Sequence, residues 1–341
     1  MRVDPAGAGT DAPPFSVEHG GLVVNIAVQR YAFASVDRLP AGDGIIIASL
    51  DLRSSVTAES VETLGGEQLE FLQAFVRRLV PAKDSLLLVT ESDVPPGAGL
   101  GGSGALGVAV VAAIDRAYGR VRSALETAAI ANEIERKDLG YPGGDQDSYG
   151  AALGGINKLE YVKGGGMIPH RIDITEDLRL TLEHSALLIY TSEAHVSGNI
   201  HQDIRESYAL ENSPTIDAMT HLREAARKMA LALEAGELAG FVSAMNESCT
   251  NLYRLHPSCD CEGHRRCLRE LGDLILGGKT CGAGGGGFLL VYAKPGRRRE
   301  CIVEAERMGA LVWPVNIDFA GVRSWSTEPT PSEEVKRYRQ G

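Results

Sequence analysis

The chain has 341 residues, 44% of them apolar and 23% charged, with a formal net charge of −11. That is enough material for two domains or one large one, and the acidity, with no basic stripe beyond Arg297-Arg298-Arg299, argues against a nucleic-acid surface. No run of 18 or more apolar residues and no charged-then-apolar leader occurs, so no membrane span or signal peptide is expected, and six cysteines without a small disulfide framework fit a reducing cytoplasm.

In chain order, Leu22 to Val28 and Tyr31 to Val36 read as a strand pair, and Gly44 to Ala48 as a further strand. Glu67 to Leu79 reads as a helix with Leu69, Leu72, Phe75 and Leu79 on one face. The strand Leu86 to Thr90 leads into Pro95-Pro96-Gly97-Ala98-Gly99-Leu100-Gly101-Gly102-Ser103-Gly104-Ala105, and the helix Ala105 to Tyr118 behind it is apolar nearly all round, hence buried. Such a loop can bring several backbone N–H groups and a positive dipole end to one anion, a phosphate above all; its other reading is a tight turn. It lacks the Gly-Lys-Ser/Thr ending of a Walker loop. Asp115 comes too early, and inside the helix, for a dinucleotide fingerprint.

A second helix spans Ser123 to Leu139, with a Ser123/Glu126 capping box and Gly140 at its stop. The loop Tyr141-Pro142-Gly143-Gly144, the segment Asp145 to Tyr149 and a strand at Asn157 to Val162 follow. The carboxy-terminal half starts near Pro169, with strands at Leu178 to Leu182 and Ala186 to Tyr190, then a polar loop from Ser192 to His201. Ser213-Pro214 opens a helix that runs to Gly236, and Glu237 to Leu255 is another. His256, Cys259, Cys261, His264 and Cys267 suit zinc by residue type but not by spacing, and the plain alternative is a loop entering a helix near Glu262. A second glycine run, Gly277 to Gly287, enters the strand Phe288 to Ala293, with strands at Leu311 to Val315 and Val322 to Trp325 beyond it. Four consecutive glycines cost backbone entropy, which points to close approach of a ligand or another loop. Strands and helices mixed in both halves predict an α+β fold.

Gly99-Leu100-Gly101-Gly102-Ser103-Gly104-Ala105 and Gly282 to Phe288 together resemble the second and third motifs of the GHMP kinases, with glycine in place of the first serine and one extra glycine before the alanine. The resemblance runs from Arg2 to the strand after Phe288. It implies a two-domain α+β fold, ribosomal-protein-S5-like then ferredoxin-like, divided here as 1–168 and 169–341, with the site in the cleft between. Arg2-Val3-Asp4-Pro5-Ala6-Gly7-Ala8-Gly9-Thr10-Asp11 resembles the first motif of the sugar-1-kinase branch; Ala8 and Gly9 stand where galactokinases have Glu-His, which argues against galactose. The D-glycero-D-manno-heptose 7-phosphate kinase type is the better match, through Gly7 to Asp11, Pro13-Pro14-Phe15, His19-Gly20-Gly21, Gln146-Asp147-Ser148-Tyr149 and Leu153-Gly154-Gly155. Ser148 for glutamine departs from that type. The family's first strand normally begins several residues before Arg2, so the expected start lies upstream of Met1 or the strand is short.

What the resemblance implies is an ATP-dependent, Mg2+-requiring kinase for the anomeric hydroxyl of a sugar, a heptose 7-phosphate first. Fucose, arabinose, galactose or an amino sugar are the alternatives, and a non-catalytic sugar sensor is the distant one. Pro96, Gly97, Ala98, Gly99, Leu100, Gly101, Gly102, Ser103, Gly104 and Ala105 would cradle the ATP phosphates. Ser103 and Glu135 would hold Mg2+, against the plainer readings of a helix N-cap and a solvated glutamate. Asp147 would be the catalytic carboxylate, with Asp145 its rival and a turn residue the plain reading; Arg2 would steady the transferring phosphate. Thr10, Asp11, Gly144, Gln146, Gly284 and Gly285 would lie at the substrate, and His195, His201 and Arg205 either meet a sugar phosphate or form an exposed turn. No nucleic-acid or membrane partner is expected, and either a monomer or a homodimer is compatible.

Overall fold

The structure is a computed structural model describing residues 1–191, 197–210, 213–328, 330, 335, 337 and 338. The first half runs β1 (Arg2–Ala6), α1 (Phe15–His19), β2 (Gly21–Ala27), β3 (Ala32–Leu39), β4 (Ile45–Ser49), β5 (Ser54–Ala58), α2 (Glu70–Leu79), β6 (Ser85–Ser92), α3 (Gly102–Ala117), α4 (Ala124–Glu133), α5 (Gln146–Leu153), β7 (Ile156–Tyr161) and β8 (Met167–Arg171). The second runs α6 (Glu176–Ser185), β9 (Ala186–Tyr190), α7 (Ser197–Ala209), α8 (Ser213–Glu234), α9 (Leu238–Leu255), α10 (Glu262–Leu271), β10 (Ile275–Thr280), β11 (Phe288–Ala293), α11 (Arg298–Arg307) and β12 (Leu311–Pro314). The fold is α+β, as expected.

These strands form three four-stranded sheets, ordered β1-β2-β7-β8, β3-β6-β4-β5 and β10-β11-β9-β12. Their pairings are antiparallel except β4 with β6. β4, the run Ile45-Ile46-Ile47, is buried on both faces, as a continuous apolar strand must be. The largest core joins β1 and β2 to α8, α9, β9 and β11, so the two halves of the chain share it. A second core packs Phe75 of α2, Val110, Val111 and Ile114 of α3, and Leu86 and Leu88 of β6.

Four sequence expectations need correction. Leu178 to Leu182 lies in the helix α6, although its leucines alternate like a strand. Thr175 accepts the Leu178 N–H at 3.2 Å as a cap, Arg179 pairs with Glu176 and Glu183, and Leu178 and Leu182, one helical turn apart, are buried while Leu180 faces solvent. β2 and β3 do not pair: β2 sits between β1 and β7, and β3 aligns its whole length with β6. Val322 to Trp325 forms no strand; Val322 only donates to the Ala152 carbonyl at 3.0 Å. The helix from Ser123 keeps its capping box but stops being α-helical at Glu133, and a π-turn, Ile134–Asp138, finishes it. Pro169 lies inside β8 and pairs with Leu159 of β7. Among the described residues no helix is long and apolar enough to cross a membrane.

Candidate active site

The two glycine runs meet. The Phe288 N–H donates to the Ala98 carbonyl at 3.0 Å, and the Arg2 N–H to the Leu100 carbonyl at 3.1 Å, so β1 and the start of β11 both hold the first loop. Gly101 caps α3 in a left-handed conformation (φ 68°) and supplies no capping side chain. The first N–H groups of α3 therefore face outward, as an anion cradle requires. A Cβ on Gly101 would sit 3.1 Å from Asp147 Cγ and 3.2 Å from Arg2 Nε, which brings the loop against the catalytic candidates. Pro96, Gly97 and Ser103 are exposed along this rim, while Ala98, Leu100, Gly104 and Ala105 are buried beneath it.

β1 alternates its side chains, so Arg2 and Asp4 share one face. Arg2, almost fully buried, donates from Nε (2.8 Å) and Nη2 (2.5 Å) to the same oxygen, Oδ1 of Asp147, and from Nη1 to the Gly99 carbonyl (2.7 Å) and Asp4 Oδ1 (3.4 Å). Burial alone would weaken the Arg2 cation; Asp147 and Asp4 outweigh it and hold its pKa above the ordinary value. Asp147 lies in the first turn of α5, where the helix dipole favours a carboxylate. Both Arg2 bonds fall on Oδ1, which leaves Oδ2 free of them.

Asp11 is buried and accepts the N–H groups of Gly9 (3.2 Å) and Gln146 (3.3 Å). Burial, with Asp147 and Asp145 nearby, pushes its pKa up to about 7. A Cβ on Gly144 would fall 1.8 Å from Asp11 Oδ2, so only glycine fits there. Gln146 is buried, and its Oε1 has no partner. A cavity lined by Arg2, Asp11, Gly144, Gln146 and Asp147 from the first half, and by His201, Leu252 and Ala283 from the second, brings these groups together.

The π-turn gives Glu135 its direction. It buries Ile134 and Glu135 side by side, and Glu135 Oε1 accepts from Ser103 Oγ at 2.9 Å. Burial pushes the Glu135 carboxyl up; Arg136 opposes that shift and Asp147 adds to it. Asp145 is likewise pushed up by burial, although Asn132 bonds to it. A hydroxyl beside a carboxylate is the hard-oxygen set that Mg2+ takes, and Mg2+ keeps waters and phosphate oxygens as its other ligands. Among the described residues no three His, Cys, Asp or Glu side chains converge as a metal site by themselves.

Other expected residues sit further out. Thr10 Oγ1 donates to the Gly7 and Leu22 carbonyls and accepts the Leu22 N–H, tying its loop to β2. Gly285 donates to the Cys259 carbonyl, and Gly284 packs on the same backbone; Gly282 and Ala283 are the members of that run that line the cavity. His201 is half-buried in the cavity wall on α7, and burial lowers its pKa to about 4. Arg205, on the same helix, is exposed. His195 and the rest of Ser192 to Val196 lie outside the described residues.

The cysteine and histidine segment forms the loop that enters α10 at Glu262. His264 Nε2 reaches the Gly287 carbonyl (3.1 Å), so it carries the proton, and Nδ1 accepts from Thr280 Oγ1 (2.9 Å), which in turn accepts from Tyr253 (2.7 Å). This run braces the second glycine loop. Burial pushes the Cys259 and Cys267 thiols up to about 12. The π-turn residue Arg136 also went unassigned from sequence. It donates to the carbonyls of Tyr141, Pro142 and Gly144 and so shapes the loop before Asp147.

The GHMP kinases N-terminal domain model matches residues 69–155, which include the first glycine loop, Glu135 and Asp147. D-glycero-alpha-D-manno-heptose 7-phosphate kinase of Campylobacter jejuni is 29% identical over 95% of this chain and 97% of its own length. The solved structure of a D-glycero-D-manno-heptose 1-phosphate kinase from Bacteroides thetaiotaomicron is 25% identical, with a TM-score of 0.79 over 96% of this chain and 97% of that one. Galactokinase of Thermotoga maritima is 26% identical over 84% of this chain and 88% of its own length. With the glycine loops joined over an Arg2–Asp147 pair, residues 69–155 carry a GHMP kinases N-terminal domain, in a chain that is similar over 95% of its length to a sugar-phosphate kinase.

Proposed function

We propose that this protein transfers the γ-phosphoryl group of ATP to the anomeric hydroxyl of a heptose 7-phosphate, giving the 1,7-bisphosphate. The observation that carries the reading is the bonding of Arg2 to a single oxygen of Asp147 at the mouth of the α3 cradle. Asp147 Oδ2 orients the attacking hydroxyl and takes its proton. Arg2 uses four of its five N–H donors on protein groups and keeps one Nη2 proton for the transferring phosphoryl oxygens. Asp11 and the unpartnered Gln146 Oε1 accept sugar hydroxyls. The loop from Pro96 to Ala105 cradles the polyphosphate with backbone N–H groups. Ser103 and Glu135 would hold Mg2+, which when bound neutralises charge on the phosphates. The halves 1–168 and 169–341 would act as two lobes, since both contribute to the cavity wall.

The reading is tested by incubating the protein with ATP, Mg2+ and a panel of heptose 7-phosphates, fucose, galactose, arabinose and amino sugars, with phosphorus NMR of the products. An anomeric phosphate formed fastest on a heptose 7-phosphate is expected. A preference for an unphosphorylated sugar would move the assignment to that sugar, and a product carrying new phosphate only at a primary hydroxyl would sink the anomeric claim.

Glu135→Gln is expected to raise the Mg2+ concentration for half-maximal rate about tenfold or more at saturating ATP, as loss of one charged ligand should. A Mg2+ curve that coincides with the parent's would remove Glu135 from the metal shell.

A further inference from the structure

Lys279 is one of the largest fully buried side chains among the described residues, 1% exposed, at the end of β10 and inside the second glycine run. A lysine so placed is costly unless paired. Its Nζ donates to Asp4 Oδ2 (3.2 Å) and to the Thr280 carbonyl (2.8 Å). The Asp4 side chain is completely buried, and its other oxygen, Oδ1, accepts from the Gly282 N–H (2.9 Å) and from Arg2 Nη1 (3.4 Å). Arg2 passes the run on to Asp147, whose side chain is 22% exposed. Four side chains thus alternate in charge, Lys279, Asp4, Arg2 and Asp147, and the run emerges into the cavity at its last member.

We propose that Asp4 and Lys279 are positioning residues for phosphoryl transfer: their buried pair fixes the Arg2 guanidinium, and through it the oxygen that Asp147 turns to the substrate. The inference rests on the kinase reading above. Lys279 balances Asp4, so Asp4 does not draw Arg2 away from Asp147. The Gly282 N–H fixes the Asp4 carboxylate, so the same residue registers β1 against a loop that lines the cavity. Neither Asp4 nor Lys279 lines the cavity itself.

The test is a double-mutant cycle on the full chain. Lys279→Met keeps the length of the side chain and removes its charge. Asp4→Asn/Lys279→Met removes both charges and leaves no buried ion unpaired, so it folds even if the single variant does not. Both are expected to lower kcat about tenfold or more, the scale of a small misplacement, with KM for ATP and sugar within about threefold of the parent. In an Arg2→Gln background the same changes should alter the residual kcat less than about twofold, because the residue they act through is already gone. A double variant with the parent's kcat, losses that multiply in the Arg2→Gln background, or failure of both variants to fold would each overturn the proposal and assign the pair to the scaffold. Parent turnover on the sugar panel tests the kinase reading separately, since the positioning claim is read only from variant-to-parent ratios.

Discussion

Asp147→Asn is expected to lower kcat by about 10²- to 10⁴-fold, the usual worth of a positioned base, with KM for ATP little changed. The substitution preserves shape. An amide oxygen can still accept the Arg2 bonds at the Oδ1 position, where Nε and Nη2 converge at 2.8 and 2.5 Å. The Oδ2 position becomes an NH2 group, which cannot accept the proton of a sugar hydroxyl. The glycine loop, Ser103, Glu135 and Asp11 all remain, so the loss should fall on turnover rather than binding. Steady-state kinetics with the preferred sugar checks this. A variant that keeps more than a tenth of the parent kcat would shift the catalytic role to Asp145, the neighbouring carboxylate.

Asp11→Asn is expected to cost sugar turnover while relieving the empty protein of a buried charge. The pKa of Asp11 is raised from the ordinary 3.8 to about 7, chiefly by burial, with Asp147 and Asp145 adding to it. A raised carboxyl favours the folded state fully below its unfolded pKa, and that contribution is lost as pH climbs to the folded value. The parent should therefore lose stability between about pH 4 and 7 relative to the variant, by a few kcal/mol, and the gap should be widest above pH 7. Melting temperatures of both proteins across pH 4 to 8 read the gap directly. In kinetics, the parent's kcat/KM for sugar should fall on the acid side with an apparent pKa near 7, because only the ionised carboxylate accepts two sugar hydroxyls. The variant should lose that limb and raise the sugar KM more than about thirtyfold, since one charged acceptor is gone. A gap that stays flat with pH would show that Asp11 is an ordinary carboxylate.

The placement of several candidate site residues was legible as local composition. A glycine loop must precede a helix to act as an anion cradle, and here it does so in one continuous stretch from Pro95 into α3. Asp147 and Gln146 follow their glycine loop directly, and the structure places them on a helix N-terminus, where the backbone holds both. Local patterns misled where two periodicities overlap. The leucines at 178, 180 and 182 match a strand, yet Thr175, Glu176 and Asp177 form a helix start that captures them. Residue type alone left two readings open at His264, and only the packed loops show it bracing Gly287.

By itself the sequence determined the α+β class, the two glycine loops, the Ser123/Glu126 cap and the acidic residues available for catalysis, because helix starts, turns and burial patterns depend on neighbours a few positions away. Only the tertiary structure decided which of those residues meet. Arg2 finds Asp147 across 145 positions, Lys279 finds Asp4 across 275, and Ser103 finds Glu135 through a π-turn whose effect is to bury two consecutive side chains. Pairings of that range depend on sheet order and on which loops pack together. A buried lysine or arginine has to find its carboxylate wherever the fold puts one, since an unpaired charge there would cost more than the fold can bear.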